Sequence, residues 1–200
     1  MPDPDPDPDL GTNTDPSRSS IKPRLPGDPD AETIKARMAR VDHAGEYGAA
    51  RIYRGQLDVL GDNHPEAAVI RHMEAGEQRH LDIFNALLQR RRVRPTVLAP
   101  VWHVAGYALG AATALMGPKA AMACTAAVEE AIDEHYASQI AALGDTDPEL
   151  ARIIAECRQD EIAHRDTAIA HGAESAPGYV LMRGVMKTGC RAAIWLSERL

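Results

Sequence analysis

After residue 29, stretches in which apolar residues return every three or four positions alternate with short breaks rich in Gly, Asp, Asn and Pro. That period lets an α-helix bury one face. The first stretch opens at Asp30-Ala-Glu-Thr-Ile, where Asp30 can cap the helix, and runs to about Leu60 before Gly61-Asp62-Asn63 stops it. Pro65, in a first-turn position, starts a second helix that reaches about Arg92. Helices are further predicted over about 118–143, after Gly117-Pro118, and over about 148–172, where Asp147-Pro148 caps the start and Gly172 suits the end. Residues 1–28 break the pattern with an Asp-Pro repeat followed by a Ser, Pro and Gly-rich stretch. Proline removes amide donors and like charges repel, so this segment is expected to form a disordered acidic tail ahead of a single domain over 29–200.

Two stretches differ from an ordinary amphipathic helix. Val97 to Gly117 carries no formal charge over 21 residues, enough to span a bilayer. A single crossing there would separate the acidic and imidazole residues singled out below onto opposite sides, so a crossover packed along the helices is expected, with Pro100 and Gly106 or Gly110 breaking or bending it. From about Ala176 to Leu200 the apolar side holds Tyr179, Val180, Met182, Val185, Met186, Ala193, Ile194 and Leu196, while Arg183, Lys187 and Arg191 fall at four-residue steps on one stripe. That is a basic amphipathic helix, either an ordinary surface helix or one lying on anionic lipid. Trp102, Tyr107, Tyr179 and Trp195 all lie in these two stretches, and such rings favour a bilayer interface. The expected membrane-contact set is therefore Trp102, Tyr107, Arg183, Lys187, Arg191 and Trp195. The Arg90-Arg91-Arg92 and Arg94 cluster is open between helix-dipole complementation and lipid contact.

Composition adds limits. Two hundred residues at 44% hydrophobic content can build one core, and the low aromatic fraction suits close-packed helices. A net charge of −7 argues against a nucleic-acid partner. Cys124, Cys157 and Cys190 lack paired spacing, so they read as free thiols in a reducing compartment rather than as disulfides or a structural zinc site.

The chemistry lies in two matching halves: Glu46 with Glu77-Gln-Arg-His80, and Glu129 with Glu161-Ile-Ala-His164. Glu46 to Glu77 is 31 residues, Glu129 to Glu161 is 32, and the two Glu-x-x-His pairs sit 84 apart. Positions three apart share a helix face, so each pair can aim a carboxylate and an imidazole at one point. Two such helices, with two that each give one Glu, form the ligand set of a carboxylate-bridged di-iron or di-manganese site in a four-helix bundle. Hard oxygens neutralise two cations, and one imidazole per metal leaves positions open for O2. Asp133, one turn beyond Glu129, is a candidate supporting residue. The expected fold is all-α: a ferritin-like four-helix bundle with a hydrophobic crossover segment and an extra C-terminal amphipathic helix.

Arg40-Val-Asp-His-Ala-Gly-Glu-Tyr-Gly-Ala, Arg94-Pro-Thr-Val-Leu, Ala121-Met-Ala-Cys-Thr, Val128-Glu-Glu and Leu196-Ser-Glu-Arg-Leu resemble the demethoxyubiquinone hydroxylase family over about residues 36–200. The resemblance implies two iron ions per chain on Glu46, Glu77, His80, Glu129, Glu161 and His164, with Glu77 and Glu161 bridging. It also implies O2-dependent hydroxylation of a membrane-borne quinone ring, NADH as electron source, and a peripheral position on the cytoplasmic face of the cell membrane. A homo-oligomer or other ubiquinone-biosynthesis proteins are possible partners. Two other classes stay open: a ferritin-like iron oxidation or storage protein, and a non-catalytic helical interaction module.

Overall fold

The computed structural model describes residues 27–200, so the Asp-Pro repeat lies outside the described residues. Ala31–Leu200 forms one compact unit. It contains α1 (Ala31–Leu60), α2 (Ala67–Arg91), α3 (Ala99–Leu115), α4 (Pro118–Leu143), α5 (Pro148–Ala170) and α6 (Tyr179–Ser197), with a short 3-10 turn at Ala173–Ser175 before α6. No strand occurs among the described residues. The fold is the expected all-α bundle: α1, α2, α4 and α5 carry the six candidate ligands, and α3 and α6 pack outside them.

The helix ends follow local chemistry. The Asp147 side chain accepts a hydrogen bond from the Leu150 amide at 3.1 Å, and Pro148 occupies the first turn, where its missing N–H costs nothing. Gly61 and Gly172 end α1 and α5 in the left-handed region, at φ of 80° and 88°, which side chains disfavour. Pro65 differs from expectation: it lies in the turn before α2, whose first residue is Ala67. The basic close of α2 is a packing device at two of its residues. Arg91 pairs with Asp147 and Glu149, and Arg90 with Glu149, tying the end of α2 to the start of α5.

The core is built largely from Ala and aliphatic residues. One cluster holds Tyr53, Leu57, Ile70, Met73 and Met122; another holds Phe84, Leu87, Tyr136, Leu150 and Ile154. Between them sits the polar layer described below.

Val97–Gly117 does not break. Ala99–Leu115 within it is the continuous α3, and its glycines do a different job from the expected bend. A Cβ on Gly110 would lie 1.9 Å from the Ile52 carbonyl oxygen, and one on Gly106 would lie 2.7 Å from that of Gly48. Opposite them, a Cβ on Gly55 would lie 2.3 Å from the Tyr107 oxygen. Glycine on both helices lets the backbones of α1 and α3 touch. The buried face of α3 is therefore small (Gly106, Gly110, Thr113, Ala114), while its bulky residues Val101, Val104 and Leu115 point outward. No helix among the described residues is long and apolar enough to cross a membrane.

The basic stripe of α6 also differs from the lipid-facing reading. Arg183 and Lys187 both bind Glu130, and Lys187 and Arg191 both bind Glu134, so the stripe faces α4. The Arg183 guanidinium, with Lys187, holds Glu130 at about 2. Trp102 donates to the Ser197 hydroxyl at 3.1 Å, joining α3 to α6, and Tyr107 donates to Asp58 of α1 at 3.1 Å. Among the six expected membrane-contact residues, Trp195 presents an exposed ring, with Arg199 stacked 4.2 Å from its centre.

Candidate metal centre

Each of the four bundle helices places its ligand candidates on the inward face, because Glu46, Glu77, Glu129 and Glu161 sit at core positions of the apolar period. A carboxylate there has no solvent, so it must be met by another charge. All six side chains are buried, Glu77 and Glu161 completely. They form two overlapping groups: Glu46, Glu77, His80 and Glu161 in one, and Glu77, Glu129, Glu161 and His164 in the other. Within each group the potential ligand atoms lie within 4.8 Å of one another. Glu77 and Glu161 belong to both.

His80 Nδ1 lies 3.0 Å from Glu161 Oε1 and 3.3 Å from Glu46 Oε2. His164 Nδ1 lies 2.9 Å from Glu77 Oε1 and 3.3 Å from Glu161 Oε2. Close as they are, these atoms lack hydrogen-bond geometry. Glu46 Oε2, Glu129 Oε2, both oxygens of Glu77, both oxygens of Glu161 and Nδ1 of each histidine are buried with no hydrogen-bond partner among the described residues. Burying so many lone pairs unmet costs far more than a fold spends idly.

Three of the atoms turned away from the centre have partners. Tyr53 donates to Glu129 Oε1 at 2.7 Å, and Tyr136 donates to Glu46 Oε1. Asp160 Oδ2 meets His80 Nε2 at 3.0 Å. Beside His164 stands Gly76 instead, where an added Cβ would lie 2.9 Å from the ring. The two halves thus hold their histidines differently. Asp133, the expected supporting residue, is not part of this layer: it binds Arg158 and Arg165 of α5.

Protons distribute unevenly over these groups. Burial, then the Glu161 charge, raises Glu46 and pushes Glu77 and Glu129 well above the usual carboxylate range. Burial would also raise Glu161, but His164 and His80 on either side outweigh it and hold Glu161 at about 2. Burial works against the His80 cation, yet Glu161 and Glu46 drive it up to about 11. Burial and the nearby carboxylates keep Tyr53 and Tyr136 protonated, so both remain donors.

A groove lies alongside this centre. Its volume is about 320 Å³, within the size of a small-molecule site, and its lining is almost wholly apolar. Gly45, Gly48 and Ile52 of α1, Trp102 and Leu109 of α3, Val128 of α4, and Val185, Met186 and Ile194 of α6 line it. Gly45 and Val128 adjoin Glu46 and Glu129 in sequence.

Residues 33–197 match the family described as ubiquinone biosynthesis protein COQ7. This chain belongs to the COQ7 family. A 3-demethoxyubiquinol 3-hydroxylase of Rhodospirillum rubrum is 52% identical to it over 183 residues, covering 92% of this chain and 86% of the relative. The mitochondrial NADPH-dependent 3-demethoxyubiquinone 3-hydroxylase of Mus musculus is 53% identical over 167 residues, covering 82% and 76%. The mitochondrial 5-demethoxyubiquinone hydroxylase of Saccharomyces cerevisiae is 42% identical over 180 residues, covering 82% and 77%. All three relatives are hydroxylases by name, and a COQ7-family chain is an enzyme of ubiquinone biosynthesis.

What the sequence reading of this COQ7-family chain passed over is the tyrosine pair. Tyr53 follows Glu46 by seven residues and Tyr136 follows Glu129 by seven, so the duplication includes the supporting hydroxyls. Each tyrosine serves the glutamate of the other half, and a search for residues repeated at that offset would have found them.

Proposed function

We propose that this chain uses O2 to hydroxylate the ring of a demethoxyubiquinone or demethoxyubiquinol at two iron ions held by Glu46, Glu77, His80, Glu129, Glu161 and His164. One observation carries the reading: the pattern of unmet buried atoms. Both oxygens are free on Glu77 and Glu161, as bridging requires, and one on Glu46 and Glu129, as terminal ligands require. Each imidazole turns Nδ1 inward. The donor set, six carboxylate oxygens and two imidazole nitrogens, suits iron or manganese and lacks the thiolate-rich character of structural zinc.

When bound, the iron pair supplies the redox chemistry by which O2 is cleaved and one of its atoms reaches the ring. The rest is the work of the chain. Tyr53 and Tyr136 fix the terminal carboxylates, Asp160 fixes the His80 ring, and the apolar lining of the groove keeps water from the reacting face. A reduced nicotinamide dinucleotide supplies the electrons; the resemblance implies NADH, and the mouse relative is named NADPH-dependent.

A quinone with an isoprenoid tail hardly leaves lipid, so the groove must open to a membrane. Val185 both lines the groove and is 63% exposed, which places apolar surface at its mouth. With Val101 and Val104 of α3 and Val180 and Leu181 of α6 also exposed, we infer peripheral attachment through these two helices, at the cytoplasmic face of the cell membrane.

The test is iron analysis of the purified full chain combined with turnover of a short-chain demethoxyquinone. About two irons per chain and O2-dependent ring hydroxylation are expected. Iron-free protein that turns over equally well would overturn the proposal.

A further inference from the structure

The metal centre contains one donor that the hydroxylase reading does not use. Cys157 is 1% exposed, and its sulfur lies within 4.8 Å of ligand atoms of Glu46 and His80. It stands one helical turn before Glu161 and so shares that residue's inward face on α5. The equivalent position in the other half, one turn before Glu77, is Met73, whose sulfur lies 3.8 Å from the Tyr53 hydroxyl. Each half therefore turns a sulfur toward the other half's terminal glutamate: Cys157 lies by Glu46, and Met73 lies against Tyr53, which holds Glu129. Beside Glu46 it is a thiol, which can become an anionic ligand; on the Glu129 side it is a thioether, which cannot.

The atoms facing Cys157 are themselves unmet. Glu46 Oε2 and His80 Nδ1 are buried without hydrogen-bond partners, and their other atoms are fixed by Tyr136 and Asp160. A thiol placed only to fill the core, beside Ile153 and Tyr136, needs no such neighbours.

We propose that Cys157, Glu46 and His80 form a three-donor site for zinc or a similarly thiophilic divalent ion, occupying one half of the metal centre in competition with iron. It rests on the di-iron reading insofar as it borrows Glu46 and His80. On binding, the thiol proton leaves to solvent and a metal–sulfur bond forms, with no change of oxidation state. Zinc favours nitrogen and sulfur together and outranks iron(II) in intrinsic affinity, while it brings no redox chemistry. Zinc held there excludes the first iron and silences the enzyme. The other half, with Met73 in place of a thiol, has no comparable preference.

The experiment uses the full chain, freed of metal by chelation and loaded with one equivalent of zinc or cobalt(II). X-ray absorption at the zinc edge should show sulfur at about 2.3 Å. The cobalt form should show a thiolate charge-transfer band in the near ultraviolet that is kept in Cys124→Ser and lost in Cys157→Ser and Cys157→Ala. Zinc binding should weaken at least about tenfold in the Cys157 variants, the loss that even an indirect partner of a metal ligand produces. Iron content of wild type and variants should stay alike. A zinc shell without sulfur in the wild-type chain, a measurement that needs no variant to fold, overturns the proposal, as does a band that persists in Cys157→Ser. If neither chain takes up iron while zinc still binds sulfur, the di-iron reading fails and the zinc site stands.

Discussion

Tyr53 on α1 donates its hydroxyl to Glu129 on α4 at 2.7 Å, and Tyr136 on α4 returns the arrangement to Glu46 on α1. The two bonds cross the bundle in opposite directions and hold the two terminal carboxylates from behind. Tyr53→Phe and Tyr136→Phe should each weaken iron retention by about 10–100-fold, measured as loss to a chelator. Each should also lower stability by about 1–3 kcal/mol, because a buried carboxylate oxygen loses its partner. Iron retention equal to wild type in both variants would show that the tyrosines support only the fold.

Glu77 separates metal binding from folding. Burial and neighbouring carboxylates raise it well above the ordinary range, which favours its neutral form when no metal is bound, and glutamine has the shape of that form. Glu77→Gln should therefore melt like wild type when both are metal-free. Adding iron should raise the melting temperature of wild type, since ligand binding favours the folded state, and leave the variant nearly unchanged. An equal rise in both would remove Glu77 from the ligand set.

Gly110 tests the contact of α1 with α3. An added Cβ would lie 1.9 Å from the Ile52 carbonyl oxygen, and backbone cannot give way as a side-chain tip can. Gly110→Ala should cost about 2–4 kcal/mol, at the severe end for a single methyl group, and should loosen the groove wall that α3 supplies. Gly184→Ala on α6, where nothing lies within 4 Å, is the control and should be nearly neutral. Similar melting of the two variants would mean that α3 shifts freely.

How far the sequence revealed these features depends on whether the cause was local. Glu46, Glu77, His80, Glu129, Glu161 and His164 were visible because helix periodicity and a duplicated spacing fix which residues share a face. Gly106 and Gly110 were visible as glycines, but their role depends on Gly48 and Ile52, more than fifty residues away, and local reading offers a bend instead. The stripe of Arg183, Lys187 and Arg191 looks the same in sequence whether it meets lipid or Glu130 and Glu134. Asp133 has the right spacing for the centre, but it is taken by Arg158 and Arg165 of the adjoining helix.

Asp42 sets a pH dependence apart from the metal ligands. Burial lifts it from 3.8 to about 6, more than His135 and Gln139 can offset. The folded state then binds a proton between pH 4 and 6 that the unfolded state does not. Stability from this group is fully present below the unfolded value and is lost as pH rises through about 6, at a cost of about 3 kcal/mol for two pH units. Asp42→Asn keeps the acceptor for Gln139 and removes the charge, so it should gain about 1–3 kcal/mol over wild type at pH 7.5 and little at pH 4. Denaturant titrations at both values decide it. A gain that is the same at both would trace to packing rather than to ionisation.

Membrane attachment must be tested on the apolar side of α6 rather than on its cations. Changing Arg183, Lys187 and Arg191 to Glu would set three new charges against Glu130 and Glu134 and undock the helix, so that variant reports on packing. Val180 and Leu181 are 81% and 73% exposed and make no such contacts, so they can change without disturbing the centre. Burying a Val or Leu fully contributes at least about 1.5 kcal/mol each, so replacing both with Ser should weaken vesicle binding by about a hundredfold. Because the cations are already paired within the protein, wild-type binding to neutral and anionic vesicles should differ little and should persist at high salt. Iron content and turnover of a short-chain quinone should match wild type, while the long-chain substrate turns over slowly. Vesicle binding that survives Val180→Ser with Leu181→Ser would move the attachment to Val101 and Val104 on α3, and binding abolished by salt would restore the cations as its source.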